Sequence, residues 1–135
     1  MIRGGARMAI KRTRESEEMY LETILLLHKG QPNVRAVDVR DELGLAKSSV
    51  SRGVNLLEKK GYIHIDRDTG NLSFTDAGRK KAEGIYERHQ TLTKALMKLG
   101  AKPGLAEENA CRIEHVISEE SFEKIKQLSH KIISE

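Results

Sequence analysis

A single cysteine, Cys111, two prolines and no tryptophan among 135 residues remove several classes of protein at once. One thiol cannot close an internal disulfide, so the chain is not a disulfide-stapled secreted scaffold, and its compartment reads as reduced and cytoplasmic. The longest aliphatic run, Ile24 to Leu27, falls far short of the roughly 18 residues a membrane helix needs. No secretory apolar segment follows the basic start. Three tyrosines and two phenylalanines make stacking on splayed single-stranded bases an ill-suited way of working. The chain is too short for a barrel or a dinucleotide-binding enzyme with a substrate domain. It has no His-Glu-x-x-His, no Gly-rich phosphate loop and no legible Ser/His/Asp arrangement, and is not read as an enzyme.

What is present is charge, at 33%, over a Leu/Ile/Val-rich 38% hydrophobic fraction. The net charge of +4 is unevenly spread, because Arg3, Arg7, Lys11, Arg12 and Arg14 fall in the first fourteen residues, which contain no acid. Residues 1–14 are therefore set apart as a basic, flexible arm. Such an arm suits a polyanion such as DNA, and a start codon set too early, with Met8 as the second candidate, produces the same pattern.

Apolar residues at Tyr20, Leu21, Ile24, Leu25 and Leu27 recur at helical spacing, which predicts a first helix from about Glu17 to Lys29 with Ser16 as N-cap. Ala36 to Leu43 makes a short helix stopped by Gly44. A third helix, Lys47 to Lys60, carries the stripe Val50, Val54, Leu57 and closes at Gly61. Two short helices around a tight Gly-containing turn make a helix-turn-helix. Tyr62–Asp66 and Asn71–Thr75 then alternate apolar and polar residues about a turn near Gly70, a β-hairpin in the place of a wing. Thr75 caps a long helix from Asp76 to Leu99, with Ile85, His89, Leu92, Leu96 and Leu99 on one face and Gly100 at its end. Pro103-Gly104 opens another helix through Ile117, and Ser118 caps a last one to about Ile133 bearing Phe122, Ile125, Leu128 and Ile132. The fold class is mainly α with a small β-hairpin: a winged helix-turn-helix domain over 15–77, then a helical metal-binding and dimerisation domain over 78–135. The last helices carry more apolar surface than a tail of that length can bury in a core of its own, which points to a homodimer.

On the third helix, the face opposite Val50, Val54 and Leu57 presents Lys47, Ser48, Ser49, Ser51, Arg52 and Asn55. Small hydroxyl side chains permit close approach to a major groove, and Arg52 has the fork that grips guanine O6 and N7. Lys59, Lys60 and Arg67 are placed to meet flanking phosphates of double-stranded DNA. A polar helix face can also be simply solvated, but helix, turn, helix and hairpin in this order favour the DNA-binding reading.

Cys111, Glu114 and His115 stand at i, i+3 and i+4, so their side chains converge. A thiolate, a carboxylate and an imidazole are ligands for first-row transition metals, although a buried Cys beside a satisfied His has the same spelling. His89 lies on the apolar stripe of the long helix, where a lone His serves equally as a core or interface residue. Met19 and Glu22 share a face of the first helix, where Met also serves a core and Glu the helix dipole.

The stretches Glu18-Met19-Tyr20-Leu21-Glu22-Thr23-Ile24, Ser49-Val50-Ser51, Thr75-Asp76-Ala77-Gly78 and above all Ala110-Cys111-Arg112-Ile113-Glu114-His115-Val116-Ile117-Ser118 resemble the diphtheria toxin repressor family of metal-dependent regulators. The resemblance spans nearly all of residues 16–135, in the short form without an SH3-like third domain. It implies a homodimeric repressor that binds operator DNA when loaded with Fe(II) or Mn(II). Its activating site would fall on Met19, Cys111, Glu114 and His115, with the Cys111 carbonyl as a further ligand, and Glu22 and His89 match ligands of the manganese-sensing branch. A second, ancillary site starts at the position of His89, but Thr93 stands where it needs Glu, and Glu107 where it needs His. Thioether and thiolate are softer than the carboxylates of manganese-type sites, so Fe(II) is the preferred metal and Mn(II) the second candidate, with Co, Ni or Zn able to substitute in vitro. The alternative is a winged-helix regulator that senses an organic ligand or redox state through Cys111.

Overall fold

The computed structural model describes residues 5–134, with side chains described for 16–131. The elements in chain order are α1 (Gly5–Gly30), α2 (Ala36–Leu43), α3 (Lys47–Lys59), β1 (Ile63–Ile65), β2 (Leu72–Phe74), α4 (Asp76–Lys98), α5 (Pro103–Ile113) and α6 (Glu119–Ser134). They form two compact units that divide between Glu83 and Gly84, inside α4. Among the described residues no helix is long and apolar enough to cross a membrane.

In the first unit, α1 begins at Gly5 rather than near Glu17, and Ser16 is an interior residue instead of its N-cap. The segment ahead of Ser16 is rich in Ala, Arg, Met and Lys and contains no Pro, so nothing local stops the helix from propagating upstream. The expected basic arm thus enters α1 from residue 5. Residues 1–4 and the arm's side chains lie outside the described set.

The helix-turn-helix follows from local rules. The Arg35 N–H donates to the Asp38 carboxylate at 2.8 Å, satisfying a donor at the start of α2. Gly44 then takes a left-handed φ of 66° that releases the chain into the turn. The stripe of α3 is buried as its spacing predicts: Val50, Val54 and Leu57 are core residues of the unit, as are Leu21 and Ile24 of α1.

The hairpin pairs Ile63 with Phe74, His64 with Ser73 and Ile65 with Leu72, antiparallel. It is tied to the loop before α2, since the Leu72 N–H donates to the Val34 carbonyl at 2.7 Å and the Val34 N–H to Asn71 Oδ1 at 2.9 Å. Thr75 caps α4 by accepting the Gly78 N–H at 3.1 Å, while its own hydroxyl donates to the Gly61 carbonyl at 2.6 Å.

In the second unit Leu92, Ala110 and Phe122 form a buried cluster, with Leu96, Ile113, Ile117 and Ile125 packed against it. Pro103 opens α5 at the position where a missing N–H costs nothing. Ser118 caps α6 through its Oγ, which accepts the Ser121 N–H at 3.0 Å.

Two expectations fail here. The helix expected through Ile117 ends at Ile113, and residues 114–116 form a turn. The Val116 N–H reaches back to the Ile113 carbonyl, three residues away, which tightens the last turn and ends the regular helix. Leu99 is 84% exposed instead of joining the stripe of α4. The helix stops at Lys98, and Gly100, at φ 109°, turns the chain off that face.

Candidate functional site

The second unit brings four of the expected ligand residues together. Glu114 is the C-cap of α5, and its side chain is completely buried. Its Oε2 lies 2.9 Å from His89 Nδ1, on α4, and its Oε1 lies 3.4 Å from His115 Nε2, in the turn. The ligand atoms of Cys111, Glu114 and His115 all lie within 4.8 Å of one another. Cys111 is the solvent-facing member of the group. Convergence does not need the full helix that the sequence suggested: one regular turn carries Cys111, and the tightened turn beyond it carries His115.

A carboxylate taken wholly out of water is costly unless opposite charge or strong hydrogen bonds compensate it. Glu114 sits between two imidazoles with a thiol beside them, an arrangement suited to a cation. Nitrogen, oxygen and sulfur donors in one cluster fit a first-row divalent metal and do not suit Mg or Ca, which take oxygen.

Met19 and Glu22 are both on α1, in the first unit, three residues apart and therefore on one helix face. Glu22 is only 9% exposed, an unusual setting for a carboxylate on a helix with no charged purpose. The residues at the ancillary positions offer little: the Thr93 hydroxyl donates to the His89 carbonyl of its own helix at 2.7 Å, and Glu107 is exposed.

On α3, Lys47, Ser48, Ser49, Ser51, Arg52, Asn55 and Lys59 are exposed on the side away from the core. Ala46, the N-cap, contributes no side-chain hydrogen bond to the first turn of α3. The Asn55 amide donates to the Ser51 carbonyl at 2.7 Å.

Two cations expected at phosphates have internal partners. Lys60 donates to Glu17 of α1 at 3.0 Å, and Arg67 on the hairpin pairs with Glu58 of α3. Glu58 also accepts the Ile65 N–H at 2.9 Å, which pins the hairpin to the end of α3. That backbone bond first, then Arg67, holds the Glu58 carboxyl below its ordinary range.

These acids, and Arg88 of α4, escape a reading of the sequence. Arg88 donates to the carbonyls of Glu114 and Ile117 at 3.2 and 3.1 Å. Its partners are 26 and 29 residues away, so no periodicity marks it. For Glu58 there was a signal, an acid among the basic residues closing α3 with Arg67 just beyond the next strand.

Comparison with known proteins also divides the chain in two, ahead of α4 rather than within it. Residues 12–70 match the iron dependent repressor N-terminal DNA binding domain, and residues 75–132 the iron dependent repressor metal binding and dimerisation domain. An HTH-type transcriptional regulator MntR of Lysinibacillus sphaericus is 30% identical over 113 residues, covering 84% of this chain and 81% of that protein. An uncharacterised HTH-type transcriptional regulator of Methanocaldococcus jannaschii is 29% identical over 119 residues, 87% of this chain and 94% of the relative. Among solved structures, a manganese-dependent transcriptional repressor in complex with manganese superposes with a TM-score of 0.77 at 23% identity. That match covers 84% of this chain and 52% of the other, and at this identity it speaks for the fold alone. IdeR of T. acidophilum superposes at 0.66 with 26% identity, covering 82% and 52% of the two chains.

Proposed function

This chain belongs to the iron dependent repressor family, the diphtheria toxin repressor group of metal-dependent regulators, and from that premise we propose that it is a repressor that binds operator DNA as a metal-loaded homodimer. The observation that carries the reading is Glu114, a fully buried carboxylate flanked by His89 and His115 with Cys111 beside it. It lies in the half of the chain that matches a metal binding and dimerisation domain, behind a helix-turn-helix.

Met19 and Glu22 complete the ligand set in this proposal. A bound divalent ion supplies the positive charge that their donors and those of His89, Cys111, Glu114 and His115 share. Cys111 and Met19 contribute soft sulfur, Glu114 and Glu22 hard oxygen, and the two histidines neutral nitrogen. Because α1 also carries the core of the helix-turn-helix, ligands drawn from it and from the second unit couple metal uptake to the placement of α3. Linkage then requires metal and DNA to strengthen each other's binding by the same factor, typically about 5 to 150-fold.

Ser48, Ser49, Ser51, Arg52 and Asn55 read the major groove, with Lys47 and Lys59 at the phosphates. Dimerisation uses the apolar surface of the second unit, where Leu128 is 58% exposed beside an apolar cavity of about 250 Å³ lined by Leu92, Leu96, Ile113 and Ile125.

Sulfur at positions 19 and 111 favours Fe(II). A second reading, Mn(II), is favoured by Glu22 and His89, which add an oxygen and a nitrogen donor. The test is an anaerobic titration of duplexes selected from a random pool, with Fe(II), with Mn(II) and with chelator. Tight binding with metal and release by chelator are expected, with Fe(II) effective at the lower concentration. Equal affinity with and without metal would refute the proposal.

A further inference from the structure

Arg88 stands on α4 directly before His89, and its side chain is 16% exposed. One guanidinium nitrogen donates to the carbonyls of Glu114 and Ile117, the other pairs with Glu119 in the first turn of α6, and the group lies 5.3 Å over the Phe122 ring. The segment it clasps is the turn that follows α5. Carbonyls at a helix C-cap and in the turn that follows have no intrahelical donor and must find one elsewhere. Here one guanidinium nitrogen supplies both while the second holds Glu119, a planar two-nitrogen arrangement that the single nitrogen of an ammonium does not reproduce.

That turn is also the one that carries Glu114 and His115. The geometry points to Arg88 as a positioning residue of the metal centre, which holds the turn from Glu114 to Ile117 so that the Glu114 carboxylate and His115 imidazole are presented to His89. The inference deepens the proposed function and rests on it. His89 and Arg88 are neighbours on one helix, so the element that offers one ligand also grips the backbone of another, Glu114, and the end of its turn at Ile117. Glu114 must be held with particular care: it is buried, its two oxygens face different imidazoles, and a small rotation of the turn would separate it from both.

The experiment compares the full chain with R88K, R88Q, E119Q and H115A, under argon, with Co(II) as the probe. Three quantities are read: Co(II) affinity with the visible spectrum at saturation, amide hydrogen exchange at Val116 and Ile117 in the metal-free protein, and the thermal unfolding midpoint. R88K and R88Q are expected to weaken Co(II) by about 10 to 100-fold, the range for losing a group that orients a ligand. They are also expected to change the saturated spectrum and to speed exchange in the turn. E119Q, which loses only an ion pair with an exposed acid, stays within about fivefold.

A merely structural Arg88 would lower the midpoint of R88K while leaving Co(II) affinity and spectrum unchanged, and that result overturns the inference. If the unaltered chain takes up no Co(II), the metal reading falls and takes the positioning role with it. If it binds Co(II), H115A loses it and both Arg88 variants bind as before, the positioning role alone is overturned.

Discussion

Gly53 of α3 lies directly beneath the ring of Tyr20 of α1: a Cβ at position 53 would stand 2.1 Å from Tyr20 Cε2. Tyr20 is buried and its hydroxyl donates to the Ser49 carbonyl at 3.4 Å, so the ring has little room to retreat. Replacing a mid-helix Gly by Ala ordinarily gains about 0.5 to 1 kcal/mol. Here overpacking, at about 1 to 3 kcal/mol, outweighs it. Gly53→Ala is expected to destabilise the chain in urea denaturation, and Tyr20→Leu to cancel part of the loss when the two are combined, as a double-mutant cycle would show.

Gly78→Ala should cost more than Gly53→Ala. Its Cβ would meet the Tyr62 carbonyl oxygen at 1.8 Å, and that neighbour is backbone, which cannot swing aside as a side chain can. The hairpin and the start of α4 would have to part, with loss of the Thr75 cap. Amide exchange should rise across residues 62–78 before it rises in the second unit.

Arg52→Ala and Lys59→Ala should weaken DNA binding in different ways. Loss of a bidentate contact to guanine costs about 1 to 3 kcal/mol on the preferred duplex and relaxes specificity. Loss of a phosphate contact weakens all duplexes alike and lowers the salt slope by about one. Lys60→Ala and Arg67→Ala should move that slope less, because Glu17 and Glu58 already engage those cations. Binding isotherms at several salt concentrations decide between these outcomes.

The hairpin should loosen in acid. The Ile65 N–H and then Arg67 hold Glu58 below the ordinary 4.5, and the Thr69 and Asp68 N–H groups hold Asp66 below the ordinary 3.8. For carboxylates depressed in the fold, the stabilisation is present above those ordinary values and is lost as pH falls through the lower folded ones. Thermal midpoints followed from neutrality downward should decline through this range, and Glu58→Gln should flatten part of the decline.

Cys111→Ser should shift the metal response from Fe(II) towards Mn(II), since an oxygen replaces the soft donor. Glu114→Gln should abolish uptake of both, because the buried anion between His89 and His115 is gone. Calorimetric titration of each variant with both metals, under argon, gives the comparison.

Most of the architecture was written locally. Gly44, Gly61, Gly70 and Gly100, read as stops and turns, are the four glycines with positive φ among the described residues, and the helices and hairpin between them follow from spacing alone. Such features depend on residues within a turn or two of each other, whose sterics and periodicity the order of side chains dictates directly. The ligand types at Cys111, Glu114 and His115 were legible for the same reason.

What the order of residues could not decide was which distant groups would meet. The burial of Glu114 against His89, the grip of Arg88 on the turn and the pairing of Lys60 and Arg67 with acids all join segments that packing alone brings together. A charge or a helix end has several near-equivalent partners in sequence. Only the folded arrangement selects one, because burial makes an uncompensated polar group too costly to leave.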